Sequence, residues 1–600
     1  MIPKGNLTKM LNTLLNEGNE QIETNNIAGM AVALVQREGI IWAQGFGHTD
    51  NSRQQAATPD SLFNLQSSGK MINTAAFLRV MQQGLVNLDT HLIDIYPEFH
   101  LNDRYDGQQY KKITYRHLLS HHAGLTHESP HGGNWDNRDI PFEDIIASIN
   151  GTWMVAPVGQ EHRYSNCGMS LMLYGLQRAT GKPVRELIRQ EVIQPLQLDS
   201  MVFGKPAALK HAEYVTGYDG DAKTLFESFS DLGAGCQYVS VRDFSNFIQM
   251  RLNHGQFNGE QYLDPELLAE ARTPQFSGQY RNNSAGLGLF RYNNILPAEW
   301  VYGHAGGGCG YSGEVLWSLE HGFGVIVETN NESYGFPVAL EYARKALAMA
   351  VEAKGVTLKA LEPPRITNRP KQAIDLEMAQ KLAGEYVYFS TRVQISMEND
   401  QLTYTLHGEQ SPLTHHGDLV FTADNHPGIK FILEEDANPD HLLWLNSEGE
   451  YLRFYYDKIS GSEPTINPNG INHHIGLYQG TVYGFRPYGA IRRSGSHLEI
   501  SFFRFSGKLE QHAPGLFFTP DGEHVRFEGN SAWFSNRRVE KVNHPLDELH
   551  QLEKEDPTNY MLNEYNLNKS LIPMLKFLER DAEIEAVRDL SNRLYTKEGT

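Results

Sequence analysis

Two serines, a glycine and a lysine stand together in "FNLQSSGKMIN", residues 63–73. A lysine beside a serine hydroxyl can help to remove its proton, and spacing decides which serine is served. On a helix, residues i and i+3 share a face while i and i+2 do not. Ser67 can therefore meet Lys70, and Ser68 cannot. At the head of a helix a serine also lies in the positive field of the backbone dipole, which favours a developing oxyanion. The plain alternative is a helix cap, for which serine is among the preferred residues.

A second group follows in "HRYSNCGMSLMLYGL", residues 162–176. Tyr164-Ser165-Asn166 falls in a loop before an apolar helix. A tyrosine near an ammonium loses its proton more readily and can act as a base for a hydroxyl. Asn166 offers an amide to hold Lys70 or a substrate carbonyl. Ser and Asn are equally ordinary turn residues. A third group is "YGHAGGGCGYSGEVLW", residues 302–317, in which His304 ends a strand and Gly306, Gly307 and Gly308 follow. Glycines on a strand margin admit close approach of a ligand, and His304 can donate a hydrogen bond there. A flexible hairpin is the competing reading.

Strands and helices must bring these three groups together. Residues 28–47 read as two apolar strands joined by a turn. Helical spacing of Met71, Ile72, Ala75, Ala76, Val80 and Met81 predicts a helix over 71–83 that ends at Gly84. Further helices are expected over 171–195, strands at 299–304 and 313–330, and a helix at 336–353. Strands at both ends with helices between predict an α/β or α+β domain.

The order Ser-x-x-Lys, Tyr-x-Asn, His-x-Gly resembles the serine β-lactamase and penicillin-binding protein superfamily, especially its class C and D-aminopeptidase branch. The flanks "LFNLQSSGKMINTAAFLRVMQQGLVNLD", "ITYRHLLSHHAGL", "GKPVRELIRQEVIQPLQLDSM" and "SAGLGLF" carry the same likeness, which covers roughly residues 25–350. The resemblance implies an antiparallel sheet flanked by helices and an acyl-enzyme mechanism. Ser67 is then the nucleophile, and Lys70 and Tyr164 the bases. Asn166 and His304 complete the catalytic set, and the N–H groups of Ser67 and Gly307, beside Gly306, bind the oxyanion. Two departures stand out. Gln66 replaces the glycine usual before the nucleophile. His304 replaces the lysine of true β-lactamases, as in peptidases and some esterases. The resemblance thus implies a serine hydrolase of small peptides or amides, with D-amino acid selectivity. An esterase, a peptide-cyclising thioesterase, or a non-catalytic penicillin-binding sensor are the alternatives. Residues 127–140 are among the loops expected to choose the substrate.

No cofactor and no metal are expected. "RHLLSHHAGLTHESPH" holds five histidines, with His117 and His121 four apart, but no Glu stands between them in the His-Glu-x-x-His manner. Cys167, Cys236 and Cys309 are the only cysteines, a count that fits a reducing compartment rather than a disulfide framework. Lys plus Arg number 52 against 72 Asp plus Glu, for a net charge of −20, which argues against nucleic acid and anionic membranes as partners. No stretch approaches the roughly 20 apolar residues of a membrane span. The N-terminus lacks the apolar core of a signal peptide. The expected partner is a small peptide, amide or ester, the location cytoplasmic, with a homodimer left open.

The 600 residues predict several domains: 1–355 for the hydrolase, 373–460 and 465–545 for two small barrels, and 546–600 for a helical tail. "LEPPRITNRPKQ", residues 361–372, reads as a linker. Beyond it "LAGEYVYF" from 382 is echoed by "IGLYQGTVYGF" from 475, aligning Gly384 with Gly476 and Tyr386 with Tyr478. Two up-and-down antiparallel units are predicted, similar to the lipocalin-like domains attached to D-aminopeptidases. By that likeness "VYGFRPYGAIRRSG", residues 482–495 with Arg486, Arg492 and Arg493, is a candidate loop for narrowing the cleft.

Overall fold

In the computed structural model the described residues are 2–595, except 106, 134–135, 137, 221, 224–230, 277–284, 298, 361–366, 389–390, 407, 434–438, 446–450, 457–471, 481–486, 495–496, 503–504, 556–560 and 562–564. The chain forms two compact units, one built mainly from Met1–Leu361 and the other from Glu362–Val482 and Arg486–Thr600.

The first unit is built on a six-stranded antiparallel sheet. Its strands are β1 (Gly29–Gln36), β2 (Gly39–Gly47), β3 (Phe290–Tyr292), β4 (Val301–Gly308), β5 (Tyr311–Ser318) and β6 (Phe323–Thr329), in the order β3-β4-β5-β6-β1-β2. Strand β1 is buried on both faces, which is why its sequence, "GMAVALVQ", shows no polar alternation. Met30, Val32 and Leu34 face helices α1 (Lys4–Thr24) and α6 (Gly335–Ala353), packing with Leu14, Tyr342 and Leu347. Ala31, Ala33 and Val35 face the other way, into a helical layer that holds Met71, Phe77, Leu171 and Phe244. That layer includes α2 (Lys70–Gln82), α3 (Asn166–Thr180), α4 (Val241–Leu252) and α5 (Pro265–Arg272). The small side chains on this face let the helices come close to the sheet.

Sequence periodicity places β1, β2, β5, β6, α2 and α6 within a few residues, whereas α1, β3, α4 and α5 carry no such expectation. The expected strand at 299–304 runs on to Gly308, so the glycines after His304 are strand rather than loop. Their pairing with β5, Gly306 opposite Gly313 and Gly307 opposite Ser312, supplies the backbone order that a flexible hairpin would lack.

In the second unit nine antiparallel strands between Gly384 and Tyr456 form a nearly closed sheet, and eight between Gly476 and Val542 form a closed barrel. The echo seen in sequence is a repeated local structure. Tyr386 donates its phenol proton to the Leu382 carbonyl at 2.9 Å, and Tyr478 to the His474 carbonyl at 2.7 Å. Both rings are buried. C-terminal helices, including Pro545–Glu555 and Asp581–Tyr595, pack Leu549 and Leu590 against Leu477 and Tyr488 of the barrel. The proposed loop at 482–495 requires a correction. Tyr488–Ser494 is a barrel strand, and Arg492 pairs with Glu499 across the ladder at 2.8 Å. The run "YGAIRRS", buried from Tyr488 to Ile491 and opening only at its arginines, satisfies its backbone by strand pairing, which the arginines had disguised. Residues 481–486, with Arg486, and 495–496 lie outside the described residues. Among the described residues no helix is long and apolar enough to cross a membrane.

Candidate active site

Residues Gln66–Gly69 form a short 3₁₀ turn that leads into α2. Neither serine caps the helix, since Gly69 occupies the cap position. Ser68 is completely buried and donates to the His304 backbone carbonyl at 2.9 Å. Ser67 is the half-exposed one of the pair. The turn is wedged between β4 and the segment 231–236. A Cβ on Gly306 would lie 2.2 Å from the Leu65 carbonyl oxygen, and one on Gly235 1.7 Å from that of Gln66. Gln66 itself holds φ +49°, a conformation that the more usual glycine adopts without cost.

Lys70 is completely buried, and its ammonium donates to Ser67 Oγ at 3.1 Å and to the Ala234 carbonyl at 2.9 Å. The same Nζ stands 4.9 Å from the centroid of the Tyr164 ring. Burial pulls the Lys70 pKa down to about 7, against the opposing pull of Glu128 and Asp231. Burial pushes Asp231 up to about 7, against a hydrogen bond from Ser170. Gly233 N–H also donates to Asp231, at 3.0 Å. Asp231 thereby ties the segment that presents the Ala234 carbonyl to α3.

Tyr164 and Asn166 lie at the start of α3, where Ser165 caps the helix by accepting from Gly168 N–H at 3.0 Å. The Tyr164 ring packs on His121 at 4.3 Å and lies 6.2 Å from His304. Asn166 donates from Nδ2 to the Glu128 carboxylate at 2.5 Å. Burial raises the Glu128 pKa, but His127 and Asn166 outweigh it and hold the group below the ordinary range. An ionised carboxylate only accepts, so Asn166 must turn Nδ2 towards it. Oδ1 is left buried without a hydrogen-bond partner.

His304 reverses the role read from sequence. Burial, with the Lys70 charge, pushes its pKa down to about 3, so the ring is neutral. Its Nδ1 lies 2.6 Å from the Ala305 carbonyl, which only accepts, so Nδ1 carries the proton. Nε2 is therefore an acceptor, buried and without a partner.

The structure thus gathers Ser67, Lys70, Tyr164, Asn166 and His304, with Gly306 and Gly307 on the adjoining strand. Glu128 and Asp231 escaped the sequence reading. A lysine buried at this depth calls for carboxylates nearby, yet no fixed spacing says where in the chain they lie. His117 and His121 do not share a helix, since the helix ends at Leu119 and His121 holds φ +60°. His117 Nδ1 lies 2.8 Å from Thr114 Oγ1 in a capping box, and His121 Nδ1 accepts from Ser165 N–H at 3.2 Å. All three cysteines are buried and free, with thiols pushed up by burial.

A sheet between two helical layers, with a serine-lysine turn against one strand, is the serine-hydrolase fold of the β-lactamase and penicillin-binding protein superfamily. The chain belongs to the β-lactamase family, whose model matches residues 13–350. It is 23% identical over 342 residues to protein flp of Staphylococcus aureus strain MW2, covering 55% of this chain and 66% of that protein. It is 23% identical to penicillin-binding protein 4* of Bacillus subtilis strain 168, over 75% of this chain and 99% of that one. The crystal structure of SurE with D-Leu superposes at a TM-score of 0.53 and 18% identity, over 74% of this chain and all of SurE.

Proposed function

We propose that this chain is a serine hydrolase, acylated on Ser67 by small peptides or amides that carry a free amino group, with selectivity for D-amino acids. The observation that carries the reading is Lys70, fully buried, with its pKa drawn to about 7 and its nitrogen 3.1 Å from Ser67 Oγ. At neutral pH a large share of Lys70 is uncharged and can accept the hydroxyl proton. The Ser67 oxygen then bonds to the carbonyl carbon, while the N–H groups of Ser67 and Gly307 receive the oxyanion. The C–N bond then breaks as Tyr164 passes its proton to the leaving amine and takes back the serine proton from Lys70. Water, giving a proton to the same pair, attacks the ester and releases the acid and Ser67.

The polarity of the site supports an amine. Asn166 Oδ1 and His304 Nε2 are acceptors in need of donors, and Glu128 adds negative charge. An α-ammonium group supplies both what they lack in protons and the opposite charge. The D-configuration rests on the fold shared with SurE, which has been solved with D-Leu. The unpaired cysteines extend the reading to a reducing, cytoplasmic setting.

A panel of D- and L-aminoacyl anilides, their N-acetyl counterparts and the matching esters tests this reading. Free-amine D-substrates are expected to give the highest kcat/KM, with all turnover lost in Ser67→Ala. Turnover of esters alone would make the protein an esterase of the same fold. Labelling of Ser67 by a penicillin without turnover of any substrate would make it a binding protein.

A further inference from the structure

The sheet face that carries His304 also carries a buried cation unconnected with the catalytic groups. Arg251, in the last turn of α4, is 1% exposed. Its guanidinium lies 4.8 Å from the ring centroid of Phe247 and 5.9 Å from that of Trp317. None of its three nitrogens has a hydrogen-bond partner. Aromatic faces attract the cation but leave the N–H edges unsatisfied. The carbonyl end of α4 offers a partial negative charge, yet no hydrogen bond from Arg251 reaches it.

The neighbouring groups make the deficit larger. Trp317 is completely buried and its Nε1–H has no partner. Arg272 ends α5 with its guanidinium 5.6 Å from the Tyr302 ring, and its buried Nη1 has no partner either. Tyr302 stands opposite Trp317 in the β4–β5 register, and their rings stack at 6.1 Å. The Tyr262 phenol is committed to the Glu191 carbonyl at 2.6 Å. Burial and the repulsion of Arg272 draw the Arg251 pKa down to about 9, so its charge is retained at neutral pH. Among the described residues no carboxylate pairs with either arginine. Buried charges are normally paired, and buried donors normally find acceptors. Here the Tyr302 hydroxyl serves Arg272 alone, and no acceptor among the described residues meets the three Arg251 nitrogens, Arg272 Nη1 or the Trp317 indole N–H.

We infer that Arg251, Arg272 and the Trp317 indole hold a small monovalent anion between α4, α5 and strands β4 and β5. Chloride is the simplest such anion, a single atom that can accept from several N–H donors at once. The half-buried Arg272 marks the side open to solvent. Such an anion joins two helices of the active-site layer to the strand that bears His304, and by linkage it stabilises the folded state.

Thermal unfolding at fixed ionic strength, with gluconate replaced stepwise by chloride, bromide or acetate, tests the inference. The Tm of the wild-type protein should rise saturably with at least one of these anions. Arg251→Met should abolish the rise. Arg272→Met, at a half-buried position, should move its midpoint to about tenfold higher anion, one charge-assisted hydrogen bond being lost. An equal Tm in all salts, or a response retained in Arg251→Met, would overturn the inference. Should Arg251→Met fail to fold, bromide-soaked crystals of the wild-type protein decide the matter. An anomalous peak against the Arg251 guanidinium supports an anion, and ordered water only refutes it.

Discussion

Ser68 Oγ donates to the backbone carbonyl of His304 at 2.9 Å, and this bond separates the work of two adjacent serines. One clamps the turn to β4, and the other is left beside Lys70. The same contact joins the first and third of the motifs that the sequence spreads from 67 to 304.

Replacing each serine should therefore give different defects. Ser67→Ala is expected to abolish acyl-enzyme formation with little change in Tm. Ser68→Ala should keep acylation while losing about 1 kcal/mol of stability, the typical worth of a buried hydrogen bond. Intact-mass spectrometry after trapping with a slow substrate, alongside thermal melts, reads both. An adduct that survives in Ser67→Ala would transfer the nucleophile to another residue.

The depressed Lys70 pKa sets a pH profile. Acylation needs neutral Lys70, so single-turnover rates should climb through about pH 7 and level off above it. The unfolded chain keeps the Lys70 proton up to about 10.5 and the folded chain only up to about 7. Between those values the unfolded state binds more protons, and Lys70 makes stability rise with pH. Below 7 both states hold the proton, and its contribution is flat. Lys70→Met should erase this rise together with acylation. Stopped-flow acylation and denaturant melts from pH 6 to 10 measure the two effects, and a pH-independent acylation rate would contradict the assignment of Lys70 as base.

Glu128 orients Asn166 and adds its own charge, so its loss should fall on amine recognition. Glu128→Gln is expected to lower kcat/KM for free-amine substrates by about 10- to 100-fold, as for loss of a charge-assisted hydrogen bond. N-acetylated substrates should change much less. Equal loss on both would assign Glu128 to holding the site together rather than to choosing substrates.

Five strands of the central sheet, helices α2 and α6 and the paired antiparallel units were legible because periodic burial writes each of them locally, while α1, α4, α5 and the short β3 were not. Ser67, Lys70, Tyr164 and Asn166 could be read for the same reason, as short motifs at element ends. Glu128, Asp231 and the Ala234 carbonyl could not. They act on Lys70 from loops whose positions only the fold decides. His304 was found, but its hydrogen-bonding sense depends on a carbonyl one residue away, which no motif encodes. The segment after 487 misled because arginines in a strand resemble an exposed loop.

The glycine wedge around the nucleophile turn gives the last prediction. Gly235 has φ +125°, and its Cβ position coincides with the Gln66 carbonyl at 1.7 Å. An alanine there meets backbone that cannot move without displacing Ser67. It also takes a backbone conformation that L-residues rarely adopt. Gly235→Ala should cost roughly 3 kcal/mol or more, in the range reserved for strain at special backbone positions. Probe labelling of Ser67 should fall with it. Gln66→Gly acts on the other side of the same contact. It relieves a positive φ worth about 1–2 kcal/mol but frees the unfolded chain. The net change is expected to stay within about 1 kcal/mol, with labelling retained. Melts and labelling rates of the two variants, measured together, test the wedge. Wild-type stability and labelling in Gly235→Ala would show that the turn is not held from that side.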